Sequence, residues 1–226
     1  MSFLEVTLSL LEGFGTTVLL FVSTLLLSMP LGLVLMFGTT TKFLPLKVLV
    51  RAFVYIIRGT PLMLQLMVVY YIPGIVFGYS VVRWPIFGGS VVAAQFCCAL
   101  FTFVINYACY FSEIYRGGIQ SIPKGQYEAG QVLGMTKSQV FFRIILMQVV
   151  KNVLPPVSNE TITLVKDTAL ANTIAVAEIV FSAERMLNLH NIIWPMFYTG
   201  AFYLAFNALL TFLFGRIEKK LSYIRS

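Results

Sequence analysis

Four long stretches of this chain contain no acidic or basic side chain, and they limit what it can fold into. They are residues 13–41, 59–82, 84–112 and 191–215. Each is longer than the roughly 18 apolar residues needed to cross a bilayer core. Charged residues make up only 11% of the 226-residue chain, whereas soluble domains carry about 25%. We therefore predict an all-α, polytopic membrane protein.

The amino terminus does not resemble a removable signal peptide. Its first charged residues are Glu5 and Glu12, whereas a signal peptide begins with positive charge and ends in a small-residue cleavage site. We expect the first apolar stretch to remain as a membrane span.

Most of the basic residues fall in three connections that follow the first, third and last apolar stretches. These residues are Lys42, Lys47 and Arg51; Arg116, Lys124, Lys137 and Arg143; and Arg216, Lys219, Lys220 and Arg225. Loops rich in Lys and Arg stay in the cytoplasm. We therefore predict that these connections and the carboxyl terminus are cytoplasmic, and that the amino terminus is outside. Because the positive charge is not gathered on one soluble domain, it does not indicate nucleic-acid binding.

This topology requires an odd number of crossings, but only four stretches are free of charge. One more span, which is more polar, must therefore cross as the fourth, between the third and the last apolar stretches. We predict a single transmembrane domain over residues 1–226. Its spans are 13–40, 52–73, 86–112, 143–169 and 192–215, with a cytoplasmic loop over 113–142. The fourth span contains the pair Pro155 and Pro156. A kink or break is expected there, because proline removes a backbone donor.

The fourth span also carries Glu160, Lys166 and Asp167. A charge at the bilayer centre costs about 2.5–3.5 kcal/mol, so this span should face the protein interior or a water-filled cavity. Glu160 and Asp167 are seven residues apart, which places both carboxylates on one helix face. Either the charged groups of this span, Lys166 included, face a substrate, or they pair structurally with Glu113, Arg58 or another subunit. Asn106 in the third span is likewise either a helix-packing residue or part of a pathway.

The loop 113–142 has the pattern of a short amphipathic helix, a break near Gly134 and a second helix capped by Thr136. Gly130 and Gly134 are four residues apart. This spacing predicts a strip of the helix surface without side chains, where another protein could approach the backbone closely. The polar face lacks the lysine-rich character of helices that rest on lipid headgroups. We expect this segment to dock against a protein.

The sequence "EAGQVLGMTKSQVFFRIILM" resembles the EAA loop of bacterial ABC importer permeases. The motif positions are filled by Glu128, Ala129, Gly134, Ile144 and Leu146, with Gly130 replacing the second alanine and Met147 replacing the proline. Further segments, "RGTPLMLQ", "EIYRGGIQSIPKGQYEAG", "LPP" and "LVKDTALANTIAVAEI", resemble the polar amino acid uptake subfamily. The similarity covers nearly the whole chain.

The resemblance implies a five-helix permease subunit in the bacterial cell (inner) membrane. It would form a homodimer, or a heterodimer with a paralogous permease. A coupling helix between helices 3 and 4 would contact a cytoplasmic ABC ATPase through Glu128, Ala129, Gly130 and Gly134, and an extracytoplasmic solute-binding protein would deliver the amino acid. The chain contains no GxxxxGK[ST] loop. ATP and Mg would therefore be bound by the ATPase, and this chain would bind no cofactor and would not be an enzyme.

The resemblance also implies a substrate site in the membrane domain, for which Asn106, Glu160, Lys166 and Asp167 are the candidates. The surplus of carboxylates favours a cationic amino acid slightly over a neutral or sulfur-containing one. A remote alternative is an intramembrane enzyme, but the sequence offers no Ser/His or Cys/His pair for it. A channel or ion-driven carrier would need inverted repeats, which are not evident. The three cysteines, Cys97, Cys98 and Cys109, lack the spacing of a zinc site. We expect them to be packing residues, and we expect no metal.

Overall fold

The computed structural model describes residues 2–221, and regular structure in this part of the chain is helical. The α-helices of these residues are α1 (Phe3–Thr40), α2 (Leu44–Gly59), α3 (Leu62–Phe77), α4 (Val91–Gln120), α5 (Lys124–Val132), α6 (Lys137–Val140), α7 (Leu146–Asp167), α8 (Ile179–His190) and α9 (Trp194–Leu221). Short 3₁₀ segments cover Val81–Arg83, Pro85–Phe87 and Thr168–Ile174, and a π-helical turn covers Phe141–Ile145.

Four helical stretches of the described chain are long and apolar enough to cross a membrane: Phe3–Thr40, Val91–Gln120, Lys137–Ile174 and Trp194–Leu221. They overlap four of the five spans predicted from the sequence. The helices α2 and α3 together form a further candidate if the bent pair is counted as one span. The chain is thus an all-helical, multi-pass membrane protein.

The α2–α3 pair divides the stretch 52–73, which the sequence suggests is one span. The two helices meet at an angle of 104°. Thr60 has an extended backbone between them, because the residue before a proline avoids the helical region and Pro61 has no N–H. The Gln65 side chain spans the break, since its Nε2 donates to the carbonyl oxygens of Ile57 at 2.8 Å and Thr60 at 3.1 Å.

The polar fourth span is not broken at its proline pair. Helix α7 continues through Pro155 and Pro156, so the expectation of a break there is wrong. A cavity of about 610 Å³ lies against this stretch and is lined by both prolines, Lys151 and Asn152. The prolines remove the N–H donors that the carbonyls of Lys151 and Asn152 would otherwise accept from in a regular helix. Irregular backbone occurs instead at the two ends of α7.

Helix α4 lies at the centre of the bundle and packs against α1, α2, α3 and α7. Small residues allow the close approach. A Cβ on Gly32 of α1 would lie 2.8 Å from Cβ of Phe111, and one on Gly118 of α4 would collide with Val153 of α7. Close backbone contact at small residues is the usual way in which membrane helices associate.

Helix α8 lies between the 3₁₀ segment that follows α7 and the last long helix, α9. Its first turn is capped by Glu178, whose carboxylate accepts hydrogen bonds from the backbone N–H groups of Val180 and Phe181. The N–H of Ile179 donates to Oγ1 of Thr17 on α1 at 3.2 Å. These bonds satisfy the free donors of the helix start and attach α8 to α1.

The segment between α4 and α7 largely follows its prediction. Helix α5 ends before Gly134, which has a φ of 72°. Thr136 then caps α6 by accepting a hydrogen bond from the Gln139 N–H at 3.3 Å. The predicted boundary at residue 113 differs, because α4 continues to Gln120. Side-chain bonds of Arg116 to Glu113 and to Gln120 support this additional helix.

Candidate functional site

The candidate site is a cavity of about 530 Å³ between the α2–α3 bend, α4 and α7, which we call the site cavity. Its polar lining residues come from all of these elements. They are Arg58, Thr60, Asn106, Tyr107, Tyr110, Glu160, Thr163 and Asp167. The volume is of the size that small-molecule sites have in proteins.

The structure brings Glu160 and Asp167 to this cavity, as their spacing predicts. Both line it, and both are half-buried on α7. Within residues 2–221, Glu160 has no hydrogen-bond or ion-pair partner in direct contact, whereas the Arg58 guanidinium interacts with it electrostatically across the cavity. A half-buried carboxylate is costly without a partner, so Glu160 is well suited to receive a cationic group.

Asp167 already accepts one hydrogen bond. The hydroxyl of Tyr107, a buried residue of α4, donates to Oδ2 of Asp167 at 2.7 Å. This bond fixes the carboxylate at the carboxyl end of α7 and leaves its second oxygen for another partner. Tyr107 is a site residue that the sequence analysis missed, although it follows Asn106 directly.

Asn106 contacts a neighbouring helix and also lines the site cavity. Its Nδ2 donates to Oε1 of Gln65 on α3 at 3.1 Å, so it joins two helices. It is also buried at the wall of the site cavity. The same side chain thus packs between two helices and lines the site cavity.

Lys166 is the candidate that the structure does not bring to this cavity. Its side chain is exposed and turned away from the lining formed by Glu160 and Asp167. The position next to Asp167 in sequence places it on a different face of α7. Arg58, rather than Lys166, is the cation of the site cavity within the described chain.

A second cavity, of about 300 Å³, adjoins the first and is lined by Arg51, Val54, Tyr55, Arg58, Glu113 and Arg116; we call it the arginine cavity. Nε of Arg116 donates to both carboxylate oxygens of Glu113, at 3.1 and 3.2 Å. Glu113 therefore already has a charged hydrogen-bond partner on its own helix.

The exposed face of α5 is the candidate docking surface. Glu128 and Ala129 are exposed there, and Val132 and Leu133 have 87% and 77% of their surface open. Two neighbouring apolar side chains with this exposure on a polar segment are typical of a protein contact.

The two glycines of this segment do not form the open strip that was expected. Gly130 is buried against Val140. A Cβ added to this glycine would lie only 2.5 Å from Cγ2 of Val140. Gly134 ends α5 in the left-handed conformation, which glycine adopts without strain. Gly134 is exposed, with nothing within 4 Å of its Cβ position. The expected strip of two open glycines is therefore wrong at Gly130.

Comparison with known proteins agrees with this architecture. The family described as binding-protein-dependent transport system inner membrane component matches residues 28–223. The chain belongs to this family. As an ABC importer permease it is a translocation subunit and not an enzyme, and ATP hydrolysis is carried out by a separate ATPase.

Relatives of this permease carry names from amino acid transport. The L-cystine transport system permease protein TcyB of Bacillus subtilis is 37% identical over 174 residues, covering 77% of this chain and 69% of the relative. The arginine transport system permease protein ArtQ of the same organism is 32% identical over 213 residues, covering 94% and 92%. A crystal structure of an amino acid ABC transporter with histidines matches with 26% identity and a TM-score of 0.84, covering 97% and 99%. The permease is thus a subunit of an amino acid ABC importer.

Proposed function

We propose that this permease moves a polar amino acid from an extracytoplasmic binding protein through the membrane into the cytoplasm, with a preference for a cationic amino acid. The observation that carries the proposal is the pair Glu160 and Asp167 on one wall of the site cavity. The cavity holds two carboxylates against one guanidinium. This surplus of negative charge favours an ammonium or guanidinium group.

The proposed topology has five spans, with the bent α2–α3 pair as the second, the amino terminus outside and the carboxyl terminus in the cytoplasm. The permease would dimerise with itself or with a paralogous subunit. Helix α5 would be the coupling helix, with Glu128, Ala129, Val132 and Leu133 facing the ATPase. Closure of the ATPases would shift the permease between its two orientations only if the docked contacts differ between them.

The proposal is tested with the permease, its ATPase and its binding protein in proteoliposomes. Glu160→Gln and Asp167→Asn should each reduce uptake of labelled L-arginine while the yield and thermal stability of the complex stay unchanged. Thr163→Val serves as a lining control without a charge. Unchanged uptake in both carboxylate variants at equal protein yield would refute the site.

A second candidate substrate is a neutral or sulfur-containing amino acid, favoured by the 37% identity to the L-cystine permease. Cystine also presents ammonium groups that Glu160 and Asp167 can bind. Competition of unlabelled amino acids against L-arginine uptake separates the two candidates. Uptake without the binding protein at the full rate would contradict the proposed three-part importer.

A further inference from the structure

Among residues 2–221, Arg58 alone lines both the site cavity and the arginine cavity. It sits near the end of α2, directly before the bend at Thr60 and Pro61. One guanidinium thus stands between the two carboxylates of the site and the carboxylate of Glu113.

The contacts that hold Arg58 at Glu113 are weak. The distance from its NH1 to Oε2 of Glu113 is 3.9 Å, and 40% of its side chain is exposed. Arg116 already donates to both oxygens of Glu113. Arg58 also lies over the ring of Tyr110, whose centre is 5.0 Å from the guanidinium carbon. Such exposed pairs contribute little stability, so the side chain is not locked in this place.

Arg58 also lines the site cavity together with Glu160. Within the described chain, this carboxylate has no hydrogen-bond or ion-pair partner in direct contact. Because the long and flexible Arg58 side chain lines both cavities, a change of its side-chain torsions can bring the guanidinium closer to either carboxylate.

We propose that Arg58 alternates between Glu113 and the carboxylates of the site cavity, and thereby competes with the ammonium or guanidinium group of the substrate. This inference rests on the proposed function of Glu160 and Asp167. When the substrate occupies the site, Arg58 pairs with Glu113. When Arg58 turns toward Glu160, it replaces the substrate's positive charge, and this favours release toward the cytoplasm. In both states a positive group, either that of the substrate or that of Arg58, lies beside the carboxylates of the site cavity.

Removal of Arg58 and removal of its partner Glu113 should have opposite effects on substrate binding. Arg58→Gln removes the competitor, so the complex should bind substrate more tightly by about fivefold and release it more slowly, lowering the maximal uptake rate. Glu113→Gln removes the alternative partner, so Arg58 stays at the site and binding should weaken by a similar factor. In the double variant the Glu113 change should have no further effect on binding.

The measurement is equilibrium binding of labelled L-arginine, with L-cystine as a second probe, to the nucleotide-free complex of the permease and its ATPase in detergent. Arg51→Gln is the matched control. Arg51 lies seven residues before Arg58 on the same helix and also lines the arginine cavity, but its Nε donates to the Thr39 carbonyl at 3.2 Å and it does not line the site cavity. Arg51→Gln should leave the dissociation constant unchanged, and Arg58→Lys should stay close to the parent.

Weaker binding in both Arg58→Gln and Glu113→Gln would overturn the inference, because it would assign Arg58 to substrate binding or to structure. Unchanged binding in both would overturn it as well. In either case a loss of binding in Glu160→Gln would still uphold the proposed site. If the parent complex binds neither probe saturably, the proposed site fails and this inference fails with it.

Discussion

The hydroxyl of Tyr107 lies 2.7 Å from Oδ2 of Asp167 and joins the middle of α4 to the end of α7. The tyrosine is buried and the aspartate lines an open cavity. The bond therefore sets the direction of a carboxylate that we propose to bind the substrate, and it does so from a helix on which another lining residue, Asn106, also lies.

Tyr107→Phe should raise the KM for uptake about tenfold, because a hydrogen bond to a charged group is worth about 1.5 kcal/mol or more. The maximal rate and the protein yield should change less. Tyr115→Phe on the same helix, outside the site cavity, is the control. Equal KM values in the two variants would contradict the orienting role of Tyr107. The assay is amino acid uptake in proteoliposomes over a range of substrate concentrations.

The apolar end of α5 should be needed for docking of the ATPase. Leu133→Asp places a charge on a side chain that is 77% exposed, so the fold should be unaffected. The permease should then lose copurification with the ATPase and lose ATP-driven uptake. Glu128→Lys should act in the same direction. Ser138→Asp, an exposed position on α6, is the charge control. Intact uptake in the Leu133 and Glu128 variants would rule out docking through this face.

Gly130→Ala, which restores the alanine of the EAA pattern, should destabilise this permease instead of stabilising it. The added Cβ would lie 2.5 Å from Cγ2 of Val140, and overpacking of this kind costs about 1–3 kcal/mol. The expected result is a lower midpoint of thermal denaturation and weaker ATPase binding.

Gly125→Ala on the same helix is the matched control, since nothing lies within 4 Å of its Cβ position. The double variant with Val140→Ala should recover stability. If Gly130→Ala proves as stable as the parent, the packing of α5 against Val140 is not a determinant of the loop.

The contact of α1 with α8 offers another matched pair. A Cβ on Gly13 would lie 2.6 Å from Oγ of Ser182 and 2.9 Å from the Glu178 carbonyl oxygen, whereas nothing lies within 4 Å of the Cβ position of Gly15. Gly13→Ala should lower the free energy of unfolding by about 1–3 kcal/mol. Gly15→Ala should be neutral, or stabilising by up to about 1 kcal/mol. Thermal denaturation in detergent measures both, and equal midpoints would show that α8 can move away from α1.

The span regions and the carboxylate pair could be predicted because they depend on regular local patterns. Residues 13–40 have no charges over a bilayer's length, and Glu160 and Asp167 are two turns apart on one helix. The same logic predicted the helix break at Gly134 and the cap at Thr136, which the structure confirms. Local rules fix these features.

The missed features depend on contacts between segments far apart in sequence. Helix α8 is only 12 residues long. It is attached to α1 by the hydrogen bond between Ile179 and Thr17, two residues that are 162 positions apart in sequence. The role of Gly130 depends on Val140, and that of Arg58 depends on two cavities that meet only in the folded chain. Periodicity along one helix carries no information about such neighbours.

The side-chain amide of Gln65 links the α2–α3 bend mechanically to helix α4. Its Nε2 holds the carbonyls of Ile57 and Thr60 across the α2–α3 bend, and its Oε1 accepts from Asn106. Gln65 therefore connects the bend to the wall of the site cavity through hydrogen bonds. We expect a change in the bend angle to change the width of the proposed amino acid site, with Gln65 as the mechanical link between the two.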